Sequence, residues 1–127
     1  MADDKPTFFI DPERAPSFSQ MEGLETTVLT GLRGERMMMA LNATLPGYTV
    51  PIHGHPHEQI GVVYSGEAIL RIGGEERHVR KGDLFCIPAD VPHGDTTIGD
   101  EPFVMLDIFH PVRGDFIERI GEAGKDD

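Results

Sequence analysis

Four side chains able to hold a metal ion stand out: His53, His55, Gln59 and His93. In an extended strand, residues i and i+2 point the same way, so His53 and His55 can converge on one point. Gln59 shares their parity, whereas Glu58 does not, provided that the strand stays regular through Pro56. A bulge at Pro56 would turn Glu58 inward instead. His93 arrives from a later β-type stretch, Gly82 to Pro88, followed by Ala89 to Pro92. Three imidazoles and one oxygen donor, with positions left for water, suit one catalytic divalent ion; nickel, zinc, iron and manganese all fit that donor set. His57 has the same parity and reads as pocket rim. His78 and His110 read as surface or structural.

The elements that must position these groups are short. Fifteen glycines and ten prolines punctuate the chain and leave β-type runs over 26–32, 37–45, 59–64, 68–72, 77–79, 84–87 and 103–109. Gly73-Gly74 is a favoured two-residue hairpin turn. About seven strands at this spacing predict an all-β sandwich or barrel. Residues 115–120 predict one short C-terminal helix, with Phe116, Ile117 and Ile120 on one face. Met37-Met38-Met39 reads as barrel core at alternate positions. Cys86, between Phe85 and Ile87, reads as a small buried hydrophobe.

The 127 residues and 14.0 kDa allow one domain, which can bury roughly 65% of its unfolded surface. Residues 1–24 read as an N-terminal arm, 25–113 as the barrel, and 114–127 as the helix with an acidic tail. The net charge of −11 repels phosphate backbones and argues against nucleic acid as a partner. Eleven of the 22 acids lie in residues 1–25 and 111–127, where they serve solubility. No apolar stretch approaches the ~20 residues that span a bilayer, and no secretory signal is visible. With a lone cysteine, the expected location is the cytoplasm. Nucleophile-elbow, phosphate-loop and dinucleotide fingerprints are absent.

Two stretches carry a family resemblance. Gly47-x5-His53-x-His55-x3-Gln59-x6-Gly66 resembles the first cupin motif, and Gly82-x5-Pro88-x-Asp90-x2-His93 resembles the second. Asp90 stands where a glycine is usual, Thr97 where an asparagine is usual, and Gln59 at the usual glutamate position. The resemblance implies a double-stranded β-helix, or jelly roll, enclosing the metal, and a homodimer formed through the arm or a sheet face. A neutral Gln in place of Glu leaves the ion its formal 2+, which favours Lewis-acid chemistry over that of the usual iron-oxygenase shell.

Residues 53–59 and 107–116 together are similar to the small pectin-degradation cupins, which linearise 4,5-unsaturated monouronates. That similarity implies His53, His55, Gln59 and His93 as ligands, Asp107 as proton shuttle, Phe109 as pocket wall and Arg113 as partner of an anionic sugar acid's carboxylate. Strand alternation alone leaves Asp107 inward or on solvent, Phe109 as pocket or core, and Arg113 free or paired with Asp115. Two rival functions remain: a metal-dependent dioxygenase of a small organic substrate, and a non-catalytic sugar- or metabolite-binding module.

Overall fold

The computed structural model describes residues 8–125. Ten strands precede one helix: β1 (Ser17–Met21), β2 (Leu24–Val28), β3 (Met38–Thr44), β4 (Thr49–His53), β5 (Glu58–Ser65), β6 (Glu67–Ile72), β7 (Glu75–Arg80), β8 (Leu84–Ile87), β9 (His93–Ile98), β10 (Phe103–His110) and α1 (Gly114–Lys125). They form a six-stranded sheet, β1-β2-β3-β10-β5-β8, and a four-stranded sheet, β4-β9-β6-β7. Every pairing is antiparallel. This is the expected jelly roll with a C-terminal helix.

The β6–β7 hairpin turns on Gly73 and Gly74, with φ of 57° and 87°, the left-handed pair that a two-residue turn requires. The two sheets enclose a core of Val63, Ala68, Leu70, Val79, Phe103 and Met105. A second cluster, Phe18, Val28, Met38, Ala40, Phe109 and Phe116, joins the large sheet to α1. The inward face of β10 belongs to both: Phe103 and Met105 lie in one, Phe109 in the other, and fully buried Asp107 sits between them. A polar belt thus separates two apolar halves, and the site is built on that belt.

Several sequence expectations needed correction. Strands β1, β4 and β9 were missed. β4 contains Pro51, which an edge strand tolerates because its missing N–H faces away from the ladder. β9 reads His-Gly-Asp-Thr-Thr-Ile and buries His93, Asp95 and Thr97, so its inward face carries polar groups instead of an apolar signal. β1 buries only Phe18 deeply and adds an edge to the large sheet, so the sheet starts inside the stretch assigned to the arm. Residues 1–7 of that arm and the last two acids of the tail lie outside the described residues.

Met38 is buried while Met37 is exposed, as alternation requires. Cys86 is exposed, against expectation: Ile87 and Phe85 take the inward positions of β8, and parity turns Cys86 out. On α1, Phe116 is buried and Ile120 packs against it, but Ile117 faces partly outward. Residues four apart share a helix face more closely than adjacent ones do.

Candidate metal centre

His53 and His93 meet because they are direct cross-strand partners, the last residue of β4 against the first of β9. The parity argument holds only in outcome: β4 ends at His53 and β5 begins at Glu58, so residues 54–57 are a loop. His55 is carried by that loop, pinned where its carbonyl accepts from the Asp90 N–H at 2.8 Å. Asp90 is the only non-glycine with positive φ (67°) among the described residues. The departure from the motif's glycine thus falls where the backbone is left-handed, a conformation aspartate tolerates better than most residues. Gln59, on β5, reaches the same point from the large sheet, and its Cα partners are Phe109 and Ile87.

One potential ligand atom from each of His53, His55 and His93 lies within 4.8 Å of the others. The ring centroids are 4.4 Å (His53–His93), 4.8 Å (His55–His93) and 6.0 Å (His53–His55) apart. Each Nδ1 faces a backbone carbonyl: Pro51 O at 2.8 Å from His53, His57 O at 3.0 Å from His55, and Val91 O at 2.9 Å from His93. A carbonyl only accepts, so each Nδ1 carries the hydrogen and each Nε2 is left with a lone pair. Carbonyl anchoring of this kind orients metal-binding imidazoles.

Burial holds the His93 pKa down at about 4, with His53 and His55 adding to the effect. Burial, then the Arg113 charge, lowers that of His55. Neutral rings are the form that ligates.

Gln59 supplies the clearest test of fit. Its Nε2 donates to Asp107 Oδ1 at 3.0 Å, which fixes the amide and points Oε1 at His55 Nε2, 3.1 Å away. Two lone pairs therefore face each other in a buried place. A cation bonded to both at about 2.1 Å would bring neighbouring donors roughly 3.0–3.5 Å apart. The donor set fits a divalent metal, which His53, His55 and His93 would hold with Gln59 as a fourth donor.

Asp107 is buried behind Gln59. Its Oδ2 accepts from Asn42 Nδ2 at 2.7 Å, and the chain continues through Thr26, whose Oγ1 donates to Asn42 Oδ1 at 2.6 Å. Burial pushes the Asp107 pKa up to about 6, although both amide bonds and the Arg113 charge pull it down. Asp95, two residues after His93 on the same face, is also buried, and its Oδ1 has no hydrogen-bond partner. Burial first, then repulsion by Asp107, raises Asp95 to about 7. Sequence reasoning missed Asp95 and Asn42. The i, i+2 relation of Asp95 to His93 was the available signal.

The cavity joining these groups is lined by His53, His55, Gln59, His93, Asp95, Asp107, Phe109 and Arg113 among others, with room for about 50 Å³ of water-sized bodies beside an open mouth. Phe109 is fully buried and meets the His55 ring edge-on at 5.9 Å, so it is both core and cavity wall. The Arg113 guanidinium lies 4.1 Å from the Phe116 ring centre and 5.0 Å from that of Phe109. Two of its nitrogens donate to Asp115 at 3.0 and 2.8 Å.

His57 does not line this cavity. The loop turns it behind His55, with the rings 5.6 Å apart. Glu58 lies exposed beside His110 on the outer face of the sheet, away from the cluster of His53, His55 and His93. His78 is a surface residue, bonded to Glu67 at 2.7 Å.

The fold and this cluster define a class, and comparison with known proteins names it: the cupin domain model (Cupin_2) matches residues 43–109, and the chain belongs to the cupin family. More particularly, it is 28% identical over 110 residues to the pectin degradation protein KdgF of Dickeya dadantii (strain 3937), covering 87% of this chain and 97% of that one. The structure of KdgF from Halomonas sp. superposes with a TM-score of 0.77 at 23% identity, covering 87% of this chain and 98% of the other. A gentisate 1,2-dioxygenase from Ralstonia sp. is 31% identical over 71 residues, 55% of this chain but 20% of that enzyme.

Proposed function

We propose that this cupin binds one divalent metal through His53, His55, His93 and Gln59, and opens and ketonises 4,5-unsaturated monouronates released in pectin or alginate breakdown. The observation that carries this reading is the imidazole–amide cluster sharing one cavity with Asp107, Phe109 and Arg113. The likeness to a pectin degradation protein along nearly its whole length supports it.

When bound, the metal would supply Lewis acidity toward a carboxylate or enolate oxygen. The substrate is a cyclic hemiacetal whose ring oxygen forms an enol ether conjugated to a carboxylate. Ring opening removes the anomeric hydroxyl proton, forms the C1 carbonyl and breaks the C1–O bond. Ketonisation then places a proton on C4, so the reaction is an isomerisation without net redox change. Asp107 holds or releases the proton at Oδ1 or Oδ2, with a pKa near neutrality suited to both directions. Arg113 faces the cavity with its charge braced by Asp115 and two aromatic rings, and receives the substrate carboxylate. Phe109 excludes water from one side of the cavity.

The test is the loss of ultraviolet absorbance of an unsaturated galacturonate with metal-replete protein. Asp107→Ala should retain its metal at saturating concentrations but slow the decay about 10²–10⁴-fold. Full activity in that variant would remove Asp107 from the mechanism. Oxygen uptake with an aromatic diol and no uronate turnover would transfer the assignment to the dioxygenase reading, which the gentisate 1,2-dioxygenase match keeps open.

A further inference from the structure

Uronate linearisation moves two protons, and they belong to opposite corners of the sugar ring. Ring opening takes one from the hydroxyl on C1, and ketonisation delivers one to C4. Asp107 is held too firmly to reach both corners. Its Oδ1 accepts from Gln59 Nε2 at 3.0 Å and its Oδ2 from Asn42 Nδ2 at 2.7 Å, so both oxygens are tethered to the wall formed by the six-stranded sheet. Each keeps a further lone pair for substrate, but the carboxylate does not swing across the cavity.

The opposite wall carries a second carboxylate. Asp95 lies on β9 in the four-stranded sheet, one inward step beyond His93, and lines the same cavity as Asp107. It is buried, and its Oδ1 has no hydrogen-bond partner among the described residues. A buried acceptor without a donor is costly, and a substrate hydroxyl entering the cavity supplies the donor. Facing sheets stand about 10 Å apart, so carboxylates on the two walls can both touch one ring placed between them.

Arg113 decides which way that ring lies. Its guanidinium stands 5.0 Å from the centre of the Phe109 ring, and Phe109 is the next inward residue after Asp107 on β10. A substrate carboxylate paired with Arg113 therefore places C5, which bears it, and the neighbouring C4 at the β10 wall beside Asp107. C1 is left facing β9 and Asp95.

We propose that Asp95 is a second catalytic residue, the base that removes the anomeric proton, while Asp107 supplies the proton to C4. The inference rests on the uronate reading and adds a residue to it. As Asp95 takes the proton, the hydroxyl oxygen forms the C1 carbonyl and the C1–O5 bond breaks, leaving its electron pair on O5 as an enolate. That pair becomes the C5 carbonyl as the C4–C5 double bond takes up the proton from Asp107 at C4. One proton leaves the substrate and one enters it, so nothing is oxidised or reduced. Asp95 ends protonated and Asp107 ionised, and exchange with water at the cavity mouth resets the pair.

The two steps can be read separately. Ring opening by itself interconverts the α and β anomers, whereas the ultraviolet absorbance falls only on ketonisation. Full-length, zinc-saturated protein is mixed with freshly released unsaturated galacturonate, and anomer exchange is followed by NMR magnetisation transfer beside the absorbance decay. Asp107→Ala should slow the decay by about 100-fold or more yet keep anomer exchange well above the protein-free rate. Adding Asp95→Asn to that variant should slow the exchange by about 100-fold or more, and Asp95→Asn by itself should slow the decay by a similar factor. Asparagine keeps the shape of aspartate, and circular dichroism should show each variant folded. Equal exchange in Asp107→Ala and in the double variant overturns the proposal. So does Asp107→Ala exchanging no faster than the protein-free sugar, which returns both protons to one carboxylate. A wild type that leaves the absorbance unchanged overturns the uronate reading, and this inference with it, whereas the two preceding results leave that reading standing.

Discussion

Replacing Asp95 by Asn should stabilise the metal-free protein, by an amount that grows with pH. Asp95 is 4% exposed, with one oxygen lacking a hydrogen-bond partner, and burial and Asp107 raise its pKa to about 7 from 3.8. A raised carboxylate pKa means that the folded state holds the proton while the unfolded chain has already released it. Ionisation therefore favours unfolding, and the cost accumulates from pH 4 and levels off above pH 7. Asparagine mimics the protonated acid and escapes this cost. At about 1.4 kcal/mol per pKa unit, a shift of some three units sets a ceiling of about 4 kcal/mol; relaxation leaves about 2–4 kcal/mol. With roughly 2.1 cal/mol/K of unfolding entropy per residue, 1 kcal/mol moves the Tm of this chain by about 4 °C. Thermal melts in chelator should show Asp95→Asn and wild type coinciding near pH 4 and diverging by about 8–15 °C at pH 8. A difference independent of pH, or a less stable variant at pH 8, would refute the reasoning.

Other perturbations test the cluster itself. His93→Ala removes the ligand nearest both other rings, and elemental analysis after loading and desalting should find the metal reduced to background while the far-ultraviolet circular dichroism is kept. Gly61→Ala would place a methyl group against the Phe85 ring, the Asp107 carboxylate and the Leu106 carbonyl. Overpacking of that kind costs about 1–3 kcal/mol. Denaturant unfolding should show the loss, and the displaced Asp107 should slow uronate turnover as well.

The barrel was legible because short β-type runs lie between glycine and proline turns. β3 buries Met38, Ala40 and Asn42 and turns Met39 and Leu41 outward, yet both faces are largely apolar, so the run itself and not its alternation marks the strand. The strands that escaped notice are those whose inward positions serve the site. β9 spends its buried positions on His93, Asp95 and Thr97, which makes a functional strand look like a loop. The clustering of His53, His55, Gln59 and His93 was legible from motif spacing, although the supposed reason, one regular strand from His53 to Gln59, was incorrect. A cross-strand pair, a pinned loop and a second sheet bring the donors together. Asn42 could not be found by any motif, because its role depends on lying 2.7 Å from a residue 65 positions away.

The same belt explains why the fold keeps an acid that weakens it. Four neutral donors would leave a divalent ion its full charge in a buried site, and low polarity there makes uncompensated charge costly. Asp95 and Asp107, two carboxylates lining the same cavity outside the ligand set, supply the opposite sign. Without the ion, burial raises both, Asp107 to about 6 and Asp95 to about 7, and the Asp107 charge adds to the rise at Asp95. With a bound ion, each would gain an attraction that offsets its burial. The stability that Asp95 costs the empty protein should therefore largely return on loading, and the pH 8 gap between Asp95→Asn and wild type should shrink when zinc is added. A gap that stays at its full size in saturating zinc would show that Asp95 contributes nothing to balancing the ion's charge.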